Sequence, residues 1–241
     1  MIIYGLNPVL EALRAGRVRR LRVGPRGDRR IEEAVALART QGISIDRVDA
    51  GTIEQAARGG VHQGIVADVD APRDYTLAEM VERAAPEAPL LVVLDGIEDP
   101  HNVGAIVRTV DAAGGHGVVR QARHAATLDG VAAKASAGAL AHVPIATEVN
   151  IARALGELKD LGVWTVGLAG DAPEPYEAVD YTVPTALVVG AEGTGLRRLV
   201  RQRCDRVVSI SMYGAVGSLN VSVAAGIVLF EARRQRKAQN V

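Results

Sequence analysis

From residue 90 onward, short runs that are apolar at nearly every position alternate with helical patterns. The clearest are LLVVLD at 90 to 95 and TALVVG at 185 to 190. A strand with one wet face is apolar at every second position. A run that is apolar throughout belongs to a strand buried on both faces. Such strands separated by helices predict a mostly parallel sheet with helices packed on both sides. The strands are expected at 90–95, 117–120, 143–146, 163–168, 185–190 and 206–210. Helices are expected at 103–113, 127–140, 150–161, 195–202 and 220–236. In sheets of this kind ligands sit beyond the carboxyl ends of the strands. The stretches that follow the first, fifth and sixth of these strands are therefore the places to search.

The first 70 residues form a separate α/β pattern. Asn7 followed by Pro8 reads as a cap and first residue of a helix reaching about Leu13. Strands are expected at 19–24, 43–48 and 64–69, with helices at 29–40 and 51–58. Residues 71 to 89 carry three prolines and no strand pattern, and read as a linker with one helix. The expected organisation is a small domain at 1–70, a linker at 71–89 and a larger domain at 90–241.

Charge is balanced at 28 basic and 28 acidic residues, so net charge names no partner and its distribution must be read instead. Residues 14 to 30 hold eight arginines and one acid, Asp28. This is a local basic stripe, from which Arg19, Arg20 and Arg22 are candidates for nucleic-acid phosphate. Arg233, Arg234, Arg236 and Lys237 form a second cluster, which also suits a helix C-terminus. Aromatic residues make up 3% of the chain, too few for a surface that stacks many bases. Cys204 is the single cysteine, which excludes a disulfide framework, and no metal-ligand spacing accompanies His101. No basic-then-apolar leader and no apolar run near 18 residues is seen. The expectation is a soluble cytoplasmic protein.

The first site stretch is DGIEDPHNVGAIVR, 95 to 108. Asp99-Pro100 marks a turn, His101 reads as a loop histidine, and Asn102 can cap the next helix. Arg108 lies six residues beyond Asn102, about 240° around a helix. The two can meet one ligand only if Asn102 stays in the loop. The second stretch, GAEGTGL at 190 to 196, lets backbone approach a ligand closely. It matches neither a phosphate-binding Walker loop nor a dinucleotide fingerprint. Glu192 there would repel phosphate and suits a hydroxyl or a cation. The third, SMYGAVGSLNVSVAAG at 211 to 226, passes from glycine-rich loop to apolar helix, with Asn220 placed to cap it. Together the three turns predict one composite pocket with few charges, suited to a neutral planar group such as adenine.

DPHNVGAIVRT (99–109), VVGAEGTGLR (188–197) and SLNVSVAAGI (218–227), in that order, resemble the three motifs of the SpoU (TrmH-like) RNA ribose methyltransferases of the SPOUT superfamily. YGLNPVLEAL (4–13) and VHQGIVA (61–67) resemble that family's small RNA-binding domain, so the resemblance spans the chain. It implies a SPOUT domain with a deep trefoil knot, an exception to the unknotted rule, and a homodimer packed through the knot helices. It implies S-adenosylmethionine as cofactor, with its adenosyl part held by Gly190, Ile210 and Leu219. It assigns catalytic roles to Asn102, Arg108, Glu192, Ser218 and Asn220. The implied reaction is methyl transfer to a ribose 2′-hydroxyl, with a guanosine of 23S rRNA as target; tRNA ribose methylation and thiopeptide-resistance rRNA methylation are the alternatives. Arg108 as base is costly. A guanidinium stays protonated at accessible pH, and each unit of pKa mismatch costs ~1.4 kcal/mol. Phosphate binding and polarisation of the hydroxyl are the cheaper roles. Ser211, Ala141 and the segment RQARHAA (120–126) depart from the family pattern.

Overall fold

The computed structural model describes residues 1–25 and 29–239. The N-terminal sheet contains β1 (Ile2–Tyr4), β2 (Val18–Val23), β3 (Ser44–Arg47) and β4 (Ile65–Val69), in the order β1-β4-β2-β3. β4 runs antiparallel to β1 and β2, and β3 parallel to β2. Helices α1 (Leu6–Arg14), α2 (Arg29–Thr40) and α3 (Ala50–Ala57) connect these strands. α4 (Leu77–Arg83) follows, opened by a reciprocal capping box between Thr76 and Glu79.

The C-terminal sheet contains β5 (Leu90–Asp95), β6 (Gly117–Gln121), β7 (Ile145–Glu148), β8 (Trp164–Leu168), β9 (Glu174–Pro175), β10 (Thr185–Gly190) and β11 (Arg206–Ser209). Their order is β7-β6-β5-β10-β8-β11-β9, with every pairing parallel. Between and after them come α5 (Pro100–Ala112), α6 (Gly130–Ala135), α7 (Ile151–Asp160), α8 (Arg198–Arg203) and α9 (Val221–Gln239).

Strand alternation divides the core between two layers. Leu90, Val92, Leu94, Leu187 and Val189 face a layer that includes Ile106 and Val110 of α5 and Val228 and Leu229 of α9. That cluster continues into the N-terminal unit through Leu10, Leu13 and Leu21. Leu91, Val93, Ala186 and Val188 face the opposite layer, where α4 contributes Leu77 and Met80 and α7 contributes Ile151 and Leu155. Each such aliphatic side chain gains about 1.5–3 kcal/mol on burial. The proline-rich segment thus carries a helix docked under the larger sheet, and Tyr75 N–H donates to Ile145 O at 2.9 Å.

Several expectations change. Asn7 lies inside α1, whose cap is Gly5 at φ 90°. The free N–H of Leu6 is met by Gln63 Oε1 at 3.0 Å, a partner 57 residues away. The helix expected at 127–140 stops at Ala135, because Ala137 and Gly138 take φ of 51° and 104°. A short 3₁₀ turn, Ala139–Ala141, follows. β1 and β9 were not expected; their three and two residues are too few for a pattern.

Two arginines serve the scaffold. Arg17 donates to Leu140 O at 2.8 Å and Asp70 O at 3.0 Å, clasping the N-terminal unit to the C-terminal one. Arg236 is 8% exposed and donates to the carbonyls of Ala88, Pro89, Tyr181 and Val183. Burial lowers its pKa, and the four carbonyls offset the cost of desolvation. No helix among the described residues is long and apolar enough to cross a membrane.

Candidate functional site at the carboxyl ends of β5 and β10

β5 and β10 lie side by side, with Gly190 opposite Asp95. β6 and β7 extend the sheet on one side of this pair, and β8, β11 and β9 on the other. Chain order reverses here, which opens a crevice above the strand ends. The loop after β10 closes on itself, with Gly195 N–H donating to Ala191 O at 2.8 Å. A Cβ on Gly190 would stand 2.2 Å from the carbonyl carbon of Gly195, so only glycine admits this turn. The turn carries Glu192 outward.

α5 supplies the second part. Asp99 caps it, accepting from His101 N–H at 3.0 Å, and Pro100 opens the first turn. His101 and Asn102 are therefore helical, and Asn102 is only 7% exposed. α9 supplies the third part. Asn220 Oδ1 accepts from Ser222 N–H at 2.9 Å and Val223 N–H at 3.4 Å, capping the helix. Its amide is left to point elsewhere. It donates to Asn102 Oδ1 at 2.8 Å and to Glu192 Oε1 at 2.6 Å. Asn102 Nδ2 donates to the same Oε1 at 3.1 Å. Three residues distant in sequence thus meet at one carboxylate oxygen. Glu192 Oε2 has no partner among the described residues, so it can accept a proton or hydrogen bond from outside.

Against this cluster lies a cavity of about 500 Å³. Gly190, Ile210 and Leu219 line it together with Glu192, Ser218 and Asn220. Its other walls are small or apolar, among them Leu168, Gly193 and Val208. Glycine backbone and aliphatic walls suit a flat, neutral heterocycle more than a triphosphate. The structure therefore brings together every cofactor position and four of the five catalytic positions read from the sequence.

Arg108 is the exception. With Asn102 in the helix, the two lie about 9 Å apart along the axis and point to different faces. Arg108 is exposed, lines neither this cavity nor its neighbour, and has no ionic or hydrogen-bond partner among the described residues. Within one chain it does not reach the cluster.

A second cavity, of about 510 Å³, lies on the other side of the Glu192 loop. Its floor was not foreseen. Asp95 is fully buried and accepts from Arg197 N–H at 2.8 Å and Arg197 Nε at 2.6 Å. Arg197 Nη2 reaches Gln121 Oε1 at 2.7 Å, and Gln121 donates to Arg123 O at 2.5 Å. The network ties the ends of β5, β6 and the β10 loop together. The polar residue closing an otherwise apolar strand, LLVVLD, was its one sequence signal.

The three candidate arginines of the basic stripe are compensated. Arg19 pairs with Asp70, Arg20 with Asp46 at 2.6 Å and Arg22 with Asp68 at 2.6 Å. Arg26 and Asp28 lie outside the described residues. In the second cluster Arg233 pairs with Glu87, Arg234 pairs with Glu231, and Arg236 is the buried scaffold residue.

The model of the SpoU rRNA methylase family matches residues 89–230. The model of the RNA 2′-O ribose methyltransferase substrate-binding domain matches residues 2–75. The 23S rRNA (guanosine-2′-O-)-methyltransferase RlmB of Yersinia pestis is 44% identical over 98% of this chain and 97% of its own. An uncharacterized tRNA/rRNA methyltransferase of Mycolicibacterium gilvum is 46% identical over 98% of this chain and 77% of its own. The crystal structure of the SpoU methyltransferase AviRb from Streptomyces viridochromogenes, in complex with AdoMet, superposes with a TM-score of 0.84. It is 28% identical and the match covers 99% of this chain and 91% of that one.

Proposed function

The chain belongs to the SpoU rRNA methylase family, and on that premise we propose that it transfers a methyl group from S-adenosylmethionine to the ribose 2′-hydroxyl of a guanosine in 23S rRNA. The observation that carries this reading is the Asn102–Glu192–Asn220 cluster at the mouth of a glycine-walled cavity. The cavity fits the cofactor: Gly190 and Gly193 bring backbone with no side chain to its wall, while Ile210 and Leu219 offer apolar contact to a purine. Bound there, S-adenosylmethionine supplies an electrophilic methyl group.

The chain's own residues then position the nucleophile. Asn102 and Asn220 fix one carboxylate oxygen of Glu192, leaving Oε2 to accept the hydrogen bond of the 2′-hydroxyl and later its proton. Ser218, on the cavity wall with no partner among the described residues, offers a hydroxyl to the same centre. Fixing the hydroxyl in line with the methyl removes much of the entropic part of the barrier. Arg108 holds the target phosphate and polarises the hydroxyl.

Arg108 takes that role from a second subunit. α5 packs against α9, with Gly226 close to Thr109. On the exposed side α9 shows Val223 and Phe230, and the loop before it shows Met212, Tyr213 and Val216. These exposed apolar side chains suit a two-fold homodimer, in which the same patch meets itself. A trefoil knot in residues 90–241 and a cytoplasmic location complete the reading.

Arg19, Arg20 and Arg22 are proposed to meet RNA phosphate by exchanging their present acids for it. Replacing all three by Gln should make the log–log salt dependence of RNA binding shallower by about 2–3 units. An unchanged slope places the contact elsewhere.

Labelled S-adenosylmethionine offered with 23S rRNA or with bulk tRNA tests the substrate. Label should enter 23S rRNA; label confined to tRNA would support the tRNA reading. Two solved structures of tRNA-modifying enzymes match 68% and 63% of this chain, whereas the rRNA enzyme of Yersinia pestis matches 98%. That contrast favours rRNA.

A further inference from the structure

The second cavity shares Ala191, Glu192 and Gly195 with the first. With S-adenosylmethionine in the first cavity, the molecule whose hydroxyl meets Glu192 has this second space to stand in. About 510 Å³ is enough for a nucleoside. Charge decides which one. Asp95 is neutralised by Arg197, and Asp99 is engaged in capping α5. Glu98 is different. Its side chain is 67% exposed, and its one ionic neighbour among the described residues is His124 Nδ1 at 3.9 Å, too long for a hydrogen bond. Together with the unpartnered Oε2 of Glu192 it lines the cavity with carboxylate acceptors. Those acceptors repel phosphate and call for a neutral ring with N–H donors. Of the four bases, guanine alone presents two adjacent donors on its pairing edge, N1–H and the N2 amine.

We propose that this cavity takes the acceptor guanosine turned out of its stack, and that the Glu98 carboxylate accepts from guanine N1–H and N2–H while Glu192 meets the ribose. The inference rests on the methyl-transfer reading above and adds a residue that reads the base. Cations outside the cavity would then carry the flanking phosphates; Arg123 is exposed, next in the chain to the lining residue His124, with its carbonyl fixed by Gln121.

The test compares 23S rRNA transcripts carrying guanosine or inosine at the methylated position. Inosine keeps N1–H and lacks the N2 amine. The wild-type kcat/KM should fall about 10- to 100-fold on inosine, the range for losing a hydrogen bond to a charged group. Glu98→Ala should lower kcat/KM on guanosine and bring the guanosine-to-inosine ratio close to one. A merely structural loss lowers both substrates alike and leaves the ratio unmoved. A wild-type ratio near one, or a ratio in Glu98→Ala equal to that of the wild type, overturns the proposal. Absence of any transfer by the wild type to the guanosine transcript overturns the methyl-transfer reading itself, and this inference with it.

Discussion

A mixed dimer with Arg108→Ala in one subunit and Asn220→Ala in the other should recover about half of the wild-type rate of methyl transfer. Each variant homodimer should be slower by about 10³-fold. In the mixed dimer one site combines both intact residues and the other combines both defects. The expectation follows from geometry. Asn220 is bonded to Asn102 and Glu192, while Arg108 sits on another face of α5 and borders neither cavity. Co-expression with two affinity tags isolates the mixed species. Activity that stays at the level of the single variants would place Arg108 outside the partner's site.

Gly190→Ala should abolish measurable S-adenosylmethionine binding, weakening it by at least about 100-fold. The added methyl would stand 2.2 Å from the Gly195 carbonyl carbon and 2.4 Å from Leu196 N. Both are backbone atoms and cannot swing away. The loop must open, which moves Glu192 from its two amide partners and takes one wall from the cavity. Isothermal titration of the wild type and the variant reads this directly. An affinity within about threefold of wild type would show that the turn is not what shapes the pocket.

The parallel sheet was legible because its strands are buried on both faces, so LLVVLD and TALVVG need no partner to be recognised. That Gly190, Ile210 and Leu219 would line one cavity was legible for a different reason. The three loops carry family motifs whose order and spacing are local properties of the chain. What could not be read depends on contacts across long separations. Asp95 and Arg197 are 102 residues apart, and only the adjacency of β5 and β10 joins them. The acids that compensate Arg20 and Arg22 come from β3 and β4; sheet register, which no arginine count contains, puts them there. The cap of α1 failed in the same way, since the group that meets Leu6 N–H is the side chain of Gln63. Asn102 was misplaced by three residues of turn chemistry. Asp99 captured the cap, and this alone moved Asn102 into the helix and separated it from Arg108.

In the proposed reaction Glu192, held by two asparagines, presents a ribose hydroxyl to a methyl donor. Purified protein, S-adenosylmethionine and unmodified 23S rRNA are incubated, and the RNA is digested and analysed by mass spectrometry. One new methyl group is expected, on the ribose O2′ of a guanosine, and absent when Glu192→Ala replaces the wild type. A methyl group found on a base, or one formed equally well by Glu192→Ala, would contradict it.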